Sequence, residues 1–242
     1  MNKITERSAI VTGAAKRIGR ALALGLAERG FDIGLHYSSS HQEALETQKE
    51  IEKLGRKCVL LKCDLTNRKE LLGLMEQAGQ KMQNIRLLVN NASMFEPASF
   101  LQTNLDLLER NFAIHVQAPF VLTSEFAKIC KKGNIINIVD TMITKTDTDY
   151  FAYLLSKKTL YELTKLAAKA LAPNIRVNAI APGSTAQPVG KFDSNYMQIR
   201  AKQVPLQMPG HPDYLLQGID YLLANPFVTG ECLFIDGGAH LS

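Results

Sequence analysis

The 242-residue chain is predicted to fold as α/β, a doubly wound parallel sheet of seven strands in one Rossmann-like domain. Three observations predict it. Short apolar runs recur along the whole length, with longer helix-like stretches between most of them. Runs such as IRLLVN and NIINIV are apolar on successive residues, as strands covered on both faces are. The first run also leads straight into a glycine-bearing turn, TGAAKRIGRA, from Thr12 to Ala21.

In chain order the strand-like runs are Ser8-Val11, Asp32-His36, Cys58-Cys63, Leu87-Asn90, Ile135-Val139, Arg176-Ile180 and Glu231-Ile235. After the first, Ile18, Leu22 and Leu26 recur at helical spacing. Strand, loop Thr12-Gly19 and helix then make an arrangement in which helix N-terminal amides meet a pyrophosphate. A glycine loop alone would mean little, because many turns need a residue that tolerates positive φ. Ligands of such sheets bind beyond the carboxyl ends of the strands. Those ends are Thr12-Gly19, His36-Ser40, Asp64, Asn90-Phe95, Asp140 and Pro182-Ser184, nearly all polar or small.

The length suits one core, and with no repeat, low-complexity tract or long polar linker, residues 1–242 are expected to form a single domain. Cys58, Cys63, Cys130 and Cys232 lack metal-ligand spacing and read as reduced, packed thiols; no His/Asp/Glu cluster suggests a metal. The formal charge of +5 is spread rather than gathered in a basic block, so nucleic acid is not an expected partner and small anionic ligands are. No signal-like core and no apolar run of about eighteen residues is found, so a cytoplasmic protein with no membrane contact is expected. His41 and His211 are expected at the surface.

Asn90-Asn91-Ala92 follows the fourth run, Tyr153 and Lys157 stand as YxxxK, and Pro182-Gly183 and TGECLFIDGG follow. On these motifs the chain resembles the short-chain dehydrogenase/reductase family over essentially its whole length. The i,i+4 spacing independently puts Tyr153 and Lys157 on one helix face, though alone it could be an accidental pair. Free tyrosine, with a pKa of about 10, is a poor acid-base catalyst at neutral pH, and the nearby ammonium is expected to lower that value. The resemblance also implies that Lys157 reaches the nicotinamide ribose.

Thirteen residues before the tyrosine, where the family has a catalytic serine, stands Asp140. A carboxylate about 4 Å from a developing carbonyl oxyanion would oppose it by roughly 4 kcal/mol at an effective dielectric of 20. That is on the order of three decades in rate. An aspartate better suits a substrate that gains a proton on nitrogen. The chain accordingly resembles the pteridine reductase branch, which shares TGAAKR, a second strand ending His-Tyr, NNAS followed by Phe95, and an Asp before the Tyr-Lys pair. That resemblance implies an NADPH-dependent reductase of dihydropterin- or dihydrofolate-like substrates, working as a homotetramer. Among its implied roles are a Phe95 ring stacked on the substrate and an Arg17 contacting both cofactor phosphate and substrate.

The implied catalytic set is Asp140, Tyr153, Lys157 and His115. Cofactor contacts are implied at Gly13, Lys16, Arg17, Ile18, Gly19, Tyr37, Ser38, Asp64, Leu65, Asn91, Ala92, Ser93, Tyr153, Lys157, Pro182, Gly183 and Ser184. Substrate contacts fall on Arg17, Ser93, Phe95, Asp140 and Tyr153. His115 occupies the place of the family's active-site asparagine, four residues before Pro119-Phe120, whereas Asn111 only mimics it. His115 fits either a water-mediated proton relay to Lys157 or a hydrogen-bonded core position. Ser38-Ser39-Ser40 replace a phosphate-gripping arginine of the branch. Residues 184–213 fall where the family has its substrate lid. The competing readings are a reductase of simple carbonyl or hydroxyl compounds and a dinucleotide-binding protein without turnover.

Overall fold

The computed structural model describes residues 7–187 and 195–241. Seven strands, β1 (Arg7–Val11), β2 (Phe31–Tyr37), β3 (Cys58–Lys62), β4 (Ile85–Asn90), β5 (Gly133–Ile138), β6 (Ile175–Pro182) and β7 (Cys232–Ile235), form one sheet in the order 3-2-1-4-5-6-7. Every pairing is parallel, so all carboxyl ends open on one edge. Each expected run is a strand. β6 runs two residues further than expected because Pro182 still pairs with Ile235, and the Gly183 N–H closes the ladder on the Ile235 carbonyl at 3.0 Å.

The alternation of side chains along each strand feeds two cores. On β1, Ala9 and Val11 face α1 (Arg17–Glu28), α2 (His41–Lys53) and α8 (Pro212–Ala224). Ile10 faces the opposite layer, built from α3 (Arg68–Lys81), α5 (Ala118–Ile129) and α6 (Phe151–Leu171). All seven residues of β2 are buried, including Asp32, which pairs with Arg56, and His36, which bonds the glycine turn. One polar thread crosses the second layer: Asn90 Nδ2 donates to Asn137 Oδ1 (2.8 Å), Asn137 Nδ2 to Thr164 Oγ1 (2.9 Å), and Thr164 to the Leu160 carbonyl (2.9 Å).

Between α4 (Leu105–Phe112) and α5 the chain makes a π-helical turn, Ala113–Gln117. Such turns are rare and recur at functional sites. The four cysteines are buried and unpaired, and no His/Cys/Asp/Glu group able to hold a metal ion occurs among the described residues. No helix there is long and apolar enough to cross a membrane. Of the expected lid, the structure shows a short α7 (Tyr196–Ala201) and the start of α8; residues 188–194, Lys191 among them, lie outside the described residues.

Candidate active site

The turn after β1 is built for close approach. Gly13 has φ +64°, and a Cβ on Gly19 would lie 2.1 Å from the Gly13 carbonyl oxygen, so neither position accepts a side chain without rearrangement. His36, at the end of β2, holds the turn: its Nδ1 accepts from the Gly13 N–H (3.0 Å) and its Nε2–H donates to the Cys63 carbonyl (3.0 Å). Burial pushes its pKa down to about 4, which keeps the ring neutral and in this tautomer. Asn91 braces the turn from β4, its Nδ2 donating to the Thr12 carbonyl (2.8 Å), while Thr12 Oγ1 accepts from the N–H groups of Asn91 and Ala92 (2.9 Å each). No side chain caps α1 and no acidic residue lies in its first turn, so its leading N–H groups are free to face an anion.

Arg17 takes the left-handed conformation (φ +52°) at the first position of α1, a rare setting for a non-glycine residue, and its side chain is exposed. Lys16 forms an ion pair with Glu43 of α2 at 2.5 Å, so much of its charge is already answered within the protein. Ile18 is half-buried and Ser38 exposed, whereas Tyr37 is buried, with its hydroxyl 2.6 Å from His41 Nδ1. The Asp64 carboxylate accepts from the N–H and hydroxyl of Thr66 (2.9 and 2.8 Å), and Leu65 packs into the α3-side core. After Pro182 and Gly183, Ser184 Oγ accepts from Arg200 Nε (3.1 Å). His41 and His211 are exposed, as expected.

At the end of β5 the three catalytic candidates converge. Tyr153 and Lys157 project from one face of α6 and are both buried. The Tyr153 hydroxyl donates to Asp140 Oδ2 at 2.6 Å, and Asp140 Oδ1 accepts the Met142 N–H at 2.8 Å. Lys157 Nζ donates to the Ile138 carbonyl at 2.7 Å. The expected lowering of the tyrosine pKa is overturned: burial first and the Asp140 carboxylate second push it well above 10. Burial raises the Asp140 carboxyl and brings Lys157 down to about 8. The ammonium stands 5.8 Å from the phenol ring centroid, too far to outweigh a carboxylate in direct hydrogen bond.

His115, in the π-helical turn, is buried, with Nε2 at 2.9 Å from Ser93 Oγ and Nδ1 at 2.8 Å from Ser156 Oγ. These direct bonds hold the ring in place, and Lys157 Nζ bonds the Ile138 carbonyl, not His115. Asn111 bonds back to the Leu107 carbonyl of its own helix (2.9 Å) and takes no part. Phe95 is 51% exposed, stacks on Tyr150 (centroids 4.2 Å apart) and meets Tyr153 edge-on (4.7 Å).

Residues 13–240 match a family model described as enoyl-(acyl carrier protein) reductase. The crystal structure of a short chain dehydrogenase from Burkholderia cenocepacia J2315, in complex with NADP, is similar at TM-score 0.90 and 27% identity, covering 96% of this chain and 97% of that one. The chain belongs to the short-chain dehydrogenase/reductase family. The reductase is also similar to FolM alternative dihydrofolate reductase 1 from Brucella suis in complex with NADP, at TM-score 0.92 and 34% identity over 97% of this chain and 95% of that one. Acetoin dehydrogenase from Enterobacter cloacae follows at TM-score 0.87 and 31% identity, covering 99% and 97%.

His36, expected at a strand end, carries the glycine turn. Three further residues of this short-chain reductase escaped the sequence. Ser156 supports His115, and Tyr150 backs Phe95. Thr185, beside Ser184, has a buried hydroxyl with no partner among the described residues. It lines a cavity of about 430 Å³ with Arg200, Leu206, Tyr214 and His240. A polar residue three steps past the end of β6, next to Ser184, was the available signal for Thr185; Tyr150 and Ser156 had only their places three residues either side of Tyr153.

Proposed function

We propose that this protein is an NADPH-dependent reductase of pteridine-like substrates, dihydropterin or dihydrofolate, in which Tyr153 delivers the proton to nitrogen. The observation that carries the reading is the 2.6 Å bond from the Tyr153 hydroxyl to Asp140, a carboxyl where carbonyl reductases of the family use a serine hydroxyl. The likeness to the Brucella FolM protein supports it.

The cofactor fits the residues present. Gly13 and Gly19 leave room that a Cβ would fill, the uncapped start of α1 accepts a diphosphate, and Arg17 stands exposed beside it. The end of β2 offers exposed Ser38 and Ser39 and no carboxylate to bind a ribose diol or repel a 2′-phosphate, which favours NADPH over NADH. Asn91, Ala92, Ser93, Tyr37, Asp64, Leu65, Pro182, Gly183 and Ser184 border the same edge of the sheet. When bound, the nicotinamide supplies the hydride.

The chain's own groups handle the proton. Burial keeps Tyr153 protonated at neutral pH, so it serves as an acid in the reductive direction. Asp140 accepts the Tyr153 hydroxyl proton as a hydrogen bond and so orients the phenol, and its charge disfavours the phenolate left after transfer and speeds its reprotonation from solvent. Tyr153 thus gives one proton to the substrate nitrogen and regains one from water. Lys157, held by the Ile138 carbonyl, keeps a positive charge behind the phenol. His115 stands behind Ser93, and the exposed part of Phe95 covers the substrate ring. The described parts of the expected lid, 184–187 and 195–213, belong over this edge, in a single domain. The enzyme works as a cytoplasmic homotetramer, a compartment suited to four buried, unpaired thiols.

The likeness to acetoin dehydrogenase favours a second reading, reduction of small carbonyl compounds. NADPH oxidation, followed across a panel of dihydropterins, dihydrofolate, acetoin and simple ketones, separates the two. Turnover of the heterocycles with NADPH ahead of NADH is expected. Turnover of ketones alone would overturn the pteridine reading, and equal efficiency with NADH would overturn the cofactor preference.

A further inference from the structure

The protons around His115 can be placed by elimination. Ser156 Oγ lies 2.7 Å from the Tyr153 carbonyl, and a carbonyl only accepts, so the Ser156 hydroxyl proton points there. The His115 Nδ1 contact with Ser156 Oγ, 2.8 Å, therefore requires a proton on Nδ1. Nε2 is then an acceptor, which agrees with the Met94 N–H directed at it from 3.3 Å. The remaining contact, Ser93 Oγ to Nε2 at 2.9 Å, must be Ser93 donating. The Met94 carbonyl, 3.3 Å from Ser93 Oγ, is the weaker acceptor for the same proton. Burial and the nearby Lys157 charge both hold the imidazole neutral, so the assignment does not reverse near neutral pH.

We infer that His115 is a positioning residue that fixes Ser93 as a hydrogen-bond acceptor, so that this wall of the site selects ligands presenting an N–H donor. Ser93 is exposed at the carboxyl end of β4, two residues before Phe95, and with its proton committed inward it shows only lone pairs to the site. Asp140, across the site, is likewise an acceptor toward Tyr153 and Met142. A heterocycle with an amino group and ring N–H groups matches such a surface, and an anionic or carbonyl oxygen does not. The identity of the donor rests on the pteridine reading; the polarity of Ser93 does not.

Two measurements test this on the full chain. In the ligand-free protein, nitrogen-15 NMR of labelled histidine, with His115 assigned by its loss in His115→Gln, should show a protonated Nδ1 and a bare Nε2 at pH 7.5. The opposite tautomer overturns the inference, whatever the substrate proves to be. Kinetically, the wild type should favour a dihydropterin over its 2-desamino analogue by about tenfold in KM, the worth of one hydrogen bond to a ligand donor. Ser93→Ala should cut that preference to about twofold or less. His115→Gln, whose amide oxygen can accept from Ser93, should keep it, while His115→Phe should lose it. Retention of the preference in Ser93→Ala overturns the inference. Absence of any pterin turnover in the wild type would instead sink the pteridine reading and leave the tautomer to decide the polarity.

Discussion

At Asp140 a carboxyl group sits 2.6 Å from the Tyr153 hydroxyl, and in the proposed mechanism its charge decides which oxygen or nitrogen reacts there. An oxyanion growing on a substrate carbonyl would meet this negative charge, whereas a nitrogen gaining a proton would not. Asp140→Ser should therefore lower kcat on a dihydropterin by about two decades or more while leaving equal or greater activity on a simple ketone. Assays of the two substrates side by side check this, and full pterin turnover in the variant would remove the main chemical support for the pteridine reading. Phe95 adds a second test at the same scale. Stacking contributes about 0.5–1.5 kcal/mol beyond burial, so Phe95→Ala should raise KM for the heterocycle by roughly two- to tenfold. The KM for NADPH should not change, because the Phe95 ring packs on Tyr150 and Tyr153. An unchanged heterocycle KM would assign Phe95 to packing against Tyr150 alone.

The glycine turn joins three elements, β1, β2 and β3, through one neutral imidazole. His36 has a folded pKa of about 4 against an ordinary value near 6.5, so the unfolded chain binds the extra proton first. Its contribution to stability is complete above pH 6.5 and is lost as pH falls toward 4, by up to about 3 kcal/mol. Thermal unfolding followed from pH 7 to pH 4 should show this loss, and His36→Gln should flatten it. A variant as acid-sensitive as the wild type would place the effect elsewhere. At this scale the strands were legible, because a parallel sheet covered on both faces gives strands such as Leu87–Val89 apolar residues on successive positions. The helix bearing Tyr153 and Lys157 was legible too, since i,i+4 spacing fixes a shared face. The π-helical turn was not: Ala113–Gln117 has no residue that separates it from ordinary helix, and only the i→i+5 bonding carries His115 toward Ser93. The tyrosine pKa was misjudged for a related reason. Sequence spacing reveals the lysine four residues on, but not which of Lys157 and Asp140 ends in direct contact with the hydroxyl.

Among the described residues, several large apolar side chains are exposed, and two sets of them bear on assembly. Leu155 and Leu166 lie eleven residues apart, three helical turns, on the side of α6 facing away from its buried Leu160, Thr164 and Ala168. Leu166 is 69% exposed, and Phe120 of the neighbouring α5 is 59% exposed. The second set flanks the two ends of β7, the edge strand of the sheet: Phe227 before it is 99% exposed and Leu241 after it 77%. A two-fold interface uses one self-complementary patch, and two distinct patches allow two perpendicular two-folds, hence a tetramer. Each would need to bury on the order of 800 Å² per partner to be stable, a size that paired helices or a covered sheet edge can supply. Light scattering should then give the mass of four 26.8-kDa chains. A charge placed in one patch breaks one two-fold and spares the other, so Leu166→Glu alone and Phe227→Glu alone should each leave dimers. The double variant should be monomeric. Because Leu166 shares α6 with Tyr153, its variant should also lose more activity than Phe227→Glu does. A wild-type monomer at micromolar concentration would overturn the assembly, and tetramers surviving Leu166→Glu would move the first interface off α6.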